Sequence, residues 1–232
     1  MLDAIRRWWP QRETGRHAEL ARWAGQARWR FQVRPDDTAL RIESEQPGEV
    51  WRLDWGPSQR RYLGAHELRL RASLGAGDAL HAVVMSRRLL QSLEAEIFEQ
   101  YTGELQTRAD ADTPHEMRWL VLYPKLTAAE LGVLRDHFGA AGHPPAALAR
   151  WLDGALADAL AMAATGWLGA DTPLVITVHR GRLTLRLPLD EPTPAACEPV
   201  LTLFRVATRE AAAVYAAAGQ AERSASPRGL QG

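Results

Sequence analysis

The spacing of apolar residues changes several times along the chain, and each change marks an element. From Trp29 the period is two: Phe31 and Val33 alternate with Arg30, Gln32 and Arg34 until Pro35-Asp36-Asp37 turns the chain. Leu40 and Ile42 continue on a further strand, and Gln46-Pro47-Gly48 makes the next turn. Trp51, Leu53 and Trp55 then alternate with Val50, Arg52 and Asp54. After a break at Gly56-Pro57-Ser58 and past Gly64, Leu68, Leu70, Ala72 and Leu74 alternate with Glu67, Arg69, Arg71 and Ser73. Successive strand side chains face opposite ways, so the tryptophans and leucines share one face and the charged residues the other. The pattern predicts an antiparallel β-meander over about 29–74 with one solvated face.

Further along, His81 to Met85 reads as a short strand, and Ser86 as the N-cap of a helix from Arg87 to about Tyr101. Leu89, Leu90, Leu93, Ile97 and Tyr101 form its apolar stripe, with Gly103 just past the end. Met117 to Tyr123 is apolar and rich in strand formers, which predicts a buried strand. Thr127-Ala-Ala-Glu130 matches a capping box and predicts a helix from Ala128 to about Phe138, ended by Gly139. Pro144-Pro145 opens another helix, whose Leu148, Trp151, Leu152, Ala155, Leu156, Ala159 and Leu160 make a broad apolar face. Leu174 to His179 and Arg182 to Leu187 form a hairpin around Arg180-Gly181. A last helix starts between Pro194 and Val200 and runs to about Ala218.

Two helical patterns precede the meander. His17 to Ala27 places Leu20, Trp23 and Ala27 on one side. Residues 2–9 place Leu2, Ile5, Trp8 and Trp9 opposite Asp3, Arg6 and Arg7, and Pro10 stops the turn. Strands, then helices, then a hairpin and a long helix predict an α+β fold: a meander with packed helices, a further buried strand, and a C-terminal hairpin plus long helix. The expected division is an amphipathic segment, 1–12, then one α+β domain, 13–218, separable into 13–126 and 127–218. The Ser/Arg/Pro/Gly-rich end, 219–232, is expected to be disordered.

Charge narrows the function classes. Lys+Arg and Asp+Glu each total 28, so the chain lacks the basic excess of a protein that neutralises phosphates, which argues against nucleic acid. Nearly every cation is arginine, Lys125 being the only lysine, and with abundant alanine and leucine this reads as a product of a GC-rich bacterial genome. There is one cysteine, Cys197, and neither an apolar run near 18 residues nor a signal-peptide pattern at the start. A cytoplasmic protein is expected, with peripheral contact at the inner membrane through residues 2–9.

Motifs for chemistry are missing. No H-E-x-x-H or Cys/His spacing suggests a metal, and no G-x-S-x-G, Walker A or G-x-G-x-x-G suggests a nucleophile or a phosphate cradle. No metal, cofactor or catalytic residue is therefore predicted, and the reading leans away from an enzyme without deciding it. The Trp51/Trp55 stretch separates its aromatic rings from its arginines on opposite faces, which makes a core wall and a charge lattice instead of a base-stacking platform. His115 and His179 read as loop residues beside a strand and a turn. Two functional expectations remain. One is a non-catalytic protein-interaction or membrane-peripheral module contacting its partner through Leu2, Ile5, Arg6, Arg7, Trp8 and Trp9. The other is a small-ligand-binding protein or enzyme whose site assembles around residues 110–125, from Asp112, His115, Glu116, Arg118, Tyr123 and Lys125.

Overall fold

Alternation at period two does build the predicted sheet. A computed structural model of the chain describes residues 17–75, 77–102 and 114–225. The first helix, α1 (Ala18–Gln26), leads into four strands: β1 (Arg30–Val33), β2 (Leu40–Gln46), β3 (Glu49–Pro57) and β4 (His66–Ser73). Then come β5 (His81–Ser86), α2 (Arg87–Thr102), α3 (His115–Leu122), α4 (Ala128–Leu131), β6 (Phe138–His143), α5 (Pro145–Trp151) and α6 (Ala155–Thr165). The hairpin β7 (Val175–His179) and β8 (Arg182–Pro188) precedes α7 (Pro194–Ala225). The fold is α+β, built on one eight-stranded antiparallel sheet in the order β1-β2-β3-β4-β8-β7-β5-β6. Strands from 13–126 and from 127–218 thus interleave in a single sheet.

One face of the sheet carries the main core. Leu40, Ile42, Trp51, Leu53, Trp55, Leu68, Leu70, Leu183, Leu185, Ile176 and Val178 are all buried there. Against them pack α1 and the group α5, α6 and α7, with Trp151 fully buried and its Nε1 donating to the Ala207 carbonyl at 3.0 Å. Trp51 and Trp55 are therefore part of a core wall, as the alternation predicts. On the other face the same cross-strand row changes character along its length. It reads Arg41, Asp54, Arg69 and Arg186 on β2, β3, β4 and β8, then Val175, Met85 and Gly139 on β7, β5 and β6. The apolar end lies under α2 and α3, where Val83, Met85, Leu89, Leu90, Leu93, Met117, Trp119 and Leu120 make a second, smaller core.

Several elements differ from the sequence reading. Residues 117–123, expected as a buried strand, are mostly the helix α3: Glu116, Met117, Trp119 and Leu120 are buried, whereas Val121 and Leu122 are exposed. That is a helical stripe, hidden in sequence by the apolar residues on both sides of it. The Thr127–Glu130 capping box is present, but its helix ends at Leu131, because Gly132 adopts φ 54° and turns the chain. Phe138 to His143 is then a strand, not the end of a helix. The helix opened by Pro145 breaks at Gly154, φ 60°, into α5 and α6. The last helix continues through Ala225, beyond the expected end at Ala218 and into the segment expected to be disordered. Residues 1–12 and the contact residues Leu2, Ile5, Arg6, Arg7, Trp8 and Trp9 lie outside the described residues.

Candidate functional site

A cleft opens where the charged half of the sheet face meets the edge of α3. Its volume is about 440 Å³, within the range that holds a small ligand. The floor comes from β7 and β8: Val175, Thr177 and His179 face Arg182, Thr184 and Arg186, with Thr177 directly opposite Thr184. The hairpin turn Arg180-Gly181, both residues at positive φ (49° and 66°), adds Arg180. The far wall is Trp119 and Glu116 of α3 together with Arg60 from the loop after β3.

Four arginines and a histidine thus face one carboxylate, and that carboxylate is already engaged. Glu116 accepts from Arg60 Nε, from Arg60 Nη2 at 3.3 Å, and from the Tyr62 hydroxyl. Burial pushes the Glu116 carboxyl up, but the hydrogen bonds from Arg60 and Tyr62 outweigh this and hold it below the ordinary carboxylate value. Tyr62 is pushed far up by burial and by the Glu116 charge, so it stays a neutral donor. The three side chains tie α3 to the β3–β4 connection.

Arg186 donates to buried Glu67 at 2.6 Å, and Arg69 lies 3.4 Å from the same carboxylate. Burial, together with the nearby Arg71 and Arg186 charges, makes Arg69 a weaker base than free arginine. Arg69 Nε is buried without a hydrogen-bond partner among the described residues. Arg41 and Arg71 both donate to Asp54, at 2.8 Å from Arg41, and these two cations overcome the burial that would raise its pKa. Arg180 and Arg182 are exposed and have no carboxylate partner among the described residues. The balance in the cleft is positive.

Beside the cleft is an aromatic and histidine cluster. The His179 ring lies 5.0 Å from Trp119 and 4.9 Å from His81. Tyr123 lies 6.2 Å from His81 and 6.4 Å from His143. Among the described residues no three His, Cys, Asp or Glu side chains stand together as metal ligands.

The residues expected to form a site around 110–125 divide. Glu116 lines the cleft, and Tyr123 joins the histidine cluster. Lys125 instead pairs with Glu94 of α2 at 2.6 Å. Arg118 sits on α3 outside the cleft lining, His115 begins that helix, not a loop before a strand, and Asp112 lies outside the described residues. His179, read as a loop histidine beside the hairpin turn, closes β7 and lines the cleft. The arginines Arg60, Arg180, Arg182 and Arg186 come from two distant segments brought together by the β4–β8 pairing. Arg87 and Arg88 point to other partners, the Arg135 carbonyl at 3.0 Å and Asp171.

Comparison with protein-family models, with curated proteins and with solved structures finds no match.

Proposed function

We propose that the protein binds a small oxyanion-bearing ligand, a phosphate ester or a carboxylate, in the cleft between β7, β8 and α3. The observation that carries this reading is the charge count: of the four lining arginines, Arg60 and Arg186 pair with Glu116 and Glu67, whereas Arg180 and Arg182 have no carboxylate partner among the described residues. Guanidinium groups present paired N–H donors that match the oxygens of carboxylate and phosphate. Thr177 and Thr184 add hydroxyl donors on the floor, and Val175 gives an apolar patch for the body of the ligand. Of the two expectations drawn from the sequence, this is the small-ligand one, moved from residues 110–125 toward the sheet. The protein-interaction and membrane-peripheral expectation rests on residues 2–9, outside the described residues, and draws no support from the cleft.

Arg182 is the residue to test, because it is exposed and holds no other side chain in place. Calorimetric titration at low salt with phosphate monoesters and dicarboxylates is expected to find at least one ligand whose Kd rises more than about tenfold in Arg182→Glu. The melting temperature of that variant should match the wild type. Binding that is equal in the two proteins, or no binding across both ligand classes, overturns the reading.

A further inference from the structure

Three heteroatoms converge next to the cleft. His81 Nδ1 is 3.1 Å from His179 Nδ1 and 3.4 Å from the Tyr123 hydroxyl oxygen. On the opposite side of the ring, His81 Nε2 is 3.3 Å from Asp78 Oδ1. His179 and Tyr123 thus approach the same ring nitrogen of His81, and Asp78 approaches the other.

A cation held between these atoms would draw on a lone pair from each. Two ligand atoms bound at about 2.0–2.1 Å stand roughly 3.3–3.4 Å apart around a tetrahedral ion and about 2.9 Å apart at a right angle. The observed 3.1 and 3.4 Å fall in that interval. A carboxylate on the far nitrogen is also how metal-bound histidines are oriented, and Asp78 holds that position on His81. The sheet supplies the placement. His81 lies directly opposite His143 on β6 and meets His179 one step beyond the Ala82–Val178 pair, so three neighbouring strands carry histidines in one row.

We propose that His81 Nδ1, His179 Nδ1 and the Tyr123 oxygen form a binding site for a divalent transition metal ion, of the zinc and copper class that favours imidazole. Asp78 is the positioning residue for His81. His143, stacked near Tyr123, is the neighbouring donor. A fourth position is left for water or for the anion of the cleft, because His179 belongs to both places. The site does not depend on the anion reading, since its test counts metal and not anion.

The test uses the untagged full-length chain, stripped with a chelator and dialysed separately against Zn²⁺ and Cu²⁺, with bound metal counted by mass spectrometry. One equivalent is expected to bind, and Co²⁺ substitution should give the visible absorption of a four-coordinate N/O shell. His179→Gln should abolish that spectrum and weaken binding by more than about tenfold, and Asp78→Asn by about 10–100-fold. Tyr123→Phe keeps the ring's packing and removes only the oxygen, so it tests the ligand role in a chain whose fold circular dichroism can confirm. It should also lose about tenfold. No stoichiometric metal, or equal metal in wild type, His179→Gln and Tyr123→Phe, overturns the proposal and leaves a pair of imidazoles sharing a proton.

Discussion

One cross-strand row of the sheet can be compared with itself. On β2, β3, β4 and β8 it is Arg41, Asp54, Arg69 and Arg186; on β7, β5 and β6 it is Val175, Met85 and Gly139. The backbone pairing is the same throughout, and the difference lies in what covers it. Over the apolar half sit α2 and α3, which remove Met85, Leu90 and Leu93 from water. Over the charged half no helix packs among the described residues, and arginines and carboxylates solvate one another. The two halves teach that a helix boundary, not a change of strand geometry, makes the cleft. Trp119 and Glu116, on the covering helix α3, become one wall, and the first uncovered sheet residues, Arg186 and Thr184, become the floor.

The covered half should be the sensitive one. Leu93, on α2, is 2% exposed and packs into the smaller core with Val83 and Met85. Truncation to alanine leaves a cavity that the sheet cannot fill, so Leu93→Ala is expected to cost about 2–5 kcal/mol in denaturant unfolding. A loss below about 1 kcal/mol would mean that α2 is loosely held, and the contrast between the halves would fail.

At the boundary itself the expected effect is about 3 kcal/mol. Glu116→Ala leaves the Arg60 guanidinium, 20% exposed, beside a Tyr62 hydroxyl that has also lost its acceptor. The same carboxylate gives a pH signature. Its folded pKa lies below the ordinary value, so its contribution to stability is complete above the unfolded pKa, near 4.3, and fades as the pH falls through the folded one. Denaturant midpoints at pH 7 and pH 3 should therefore draw together in Glu116→Gln relative to wild type. An unchanged difference would assign the acid loss elsewhere, Asp54 being the other buried carboxylate held low.

The two halves were also unequally legible in the sequence. The meander could be read because Trp51, Leu53 and Trp55, then Leu68, Leu70 and Ala72, keep an unbroken period of two with charges between them. The hairpin at Arg180-Gly181 could be read from its turn residues. In the covered half, both signals fail. Residues Met117 to Leu122 are apolar all round except for Arg118, which suits a buried strand as well as a helix whose outer residues, Val121 and Leu122, stay exposed. The strand β6 is Phe-Gly-Ala-Ala-Gly-His, and its small residues read as the end of a helix. The strand has a packing reason for them: a Cβ at Gly142 would lie 2.7 Å from the His81 carbonyl oxygen, and one at Gly139 would meet Leu90. The site was half visible for a related reason. Glu116 and Tyr123 stood out as polar residues entering a core element, whereas Arg186, Arg182, His81 and His179 acquire meaning only through strand pairing across about 100 residues of sequence. Local pattern carries no record of that register.

The smallest effect tests whether the charged half is as open as its lack of a helix implies. Arg52 is 44% exposed and donates to Glu43 at 2.6 Å. An ion pair with one partner well solvated gains little over hydration, so Arg52→Ala should cost no more than about 1 kcal/mol, and less as salt is added. Glu43 would not be stranded, because Arg30 lies 3.8 Å away to share its charge. Asp54 differs: its side chain is only 11% exposed and Arg41, Arg69 and Arg71 all lie within 4 Å of it, so the lattice is tight at its centre and slack at its rim. If Arg52→Ala instead cost as much as Leu93→Ala, the charged half would be a second structural core made of ions. Its arginines would then be committed to the fold, and those lining the cleft would lose their claim to be reserved for a ligand.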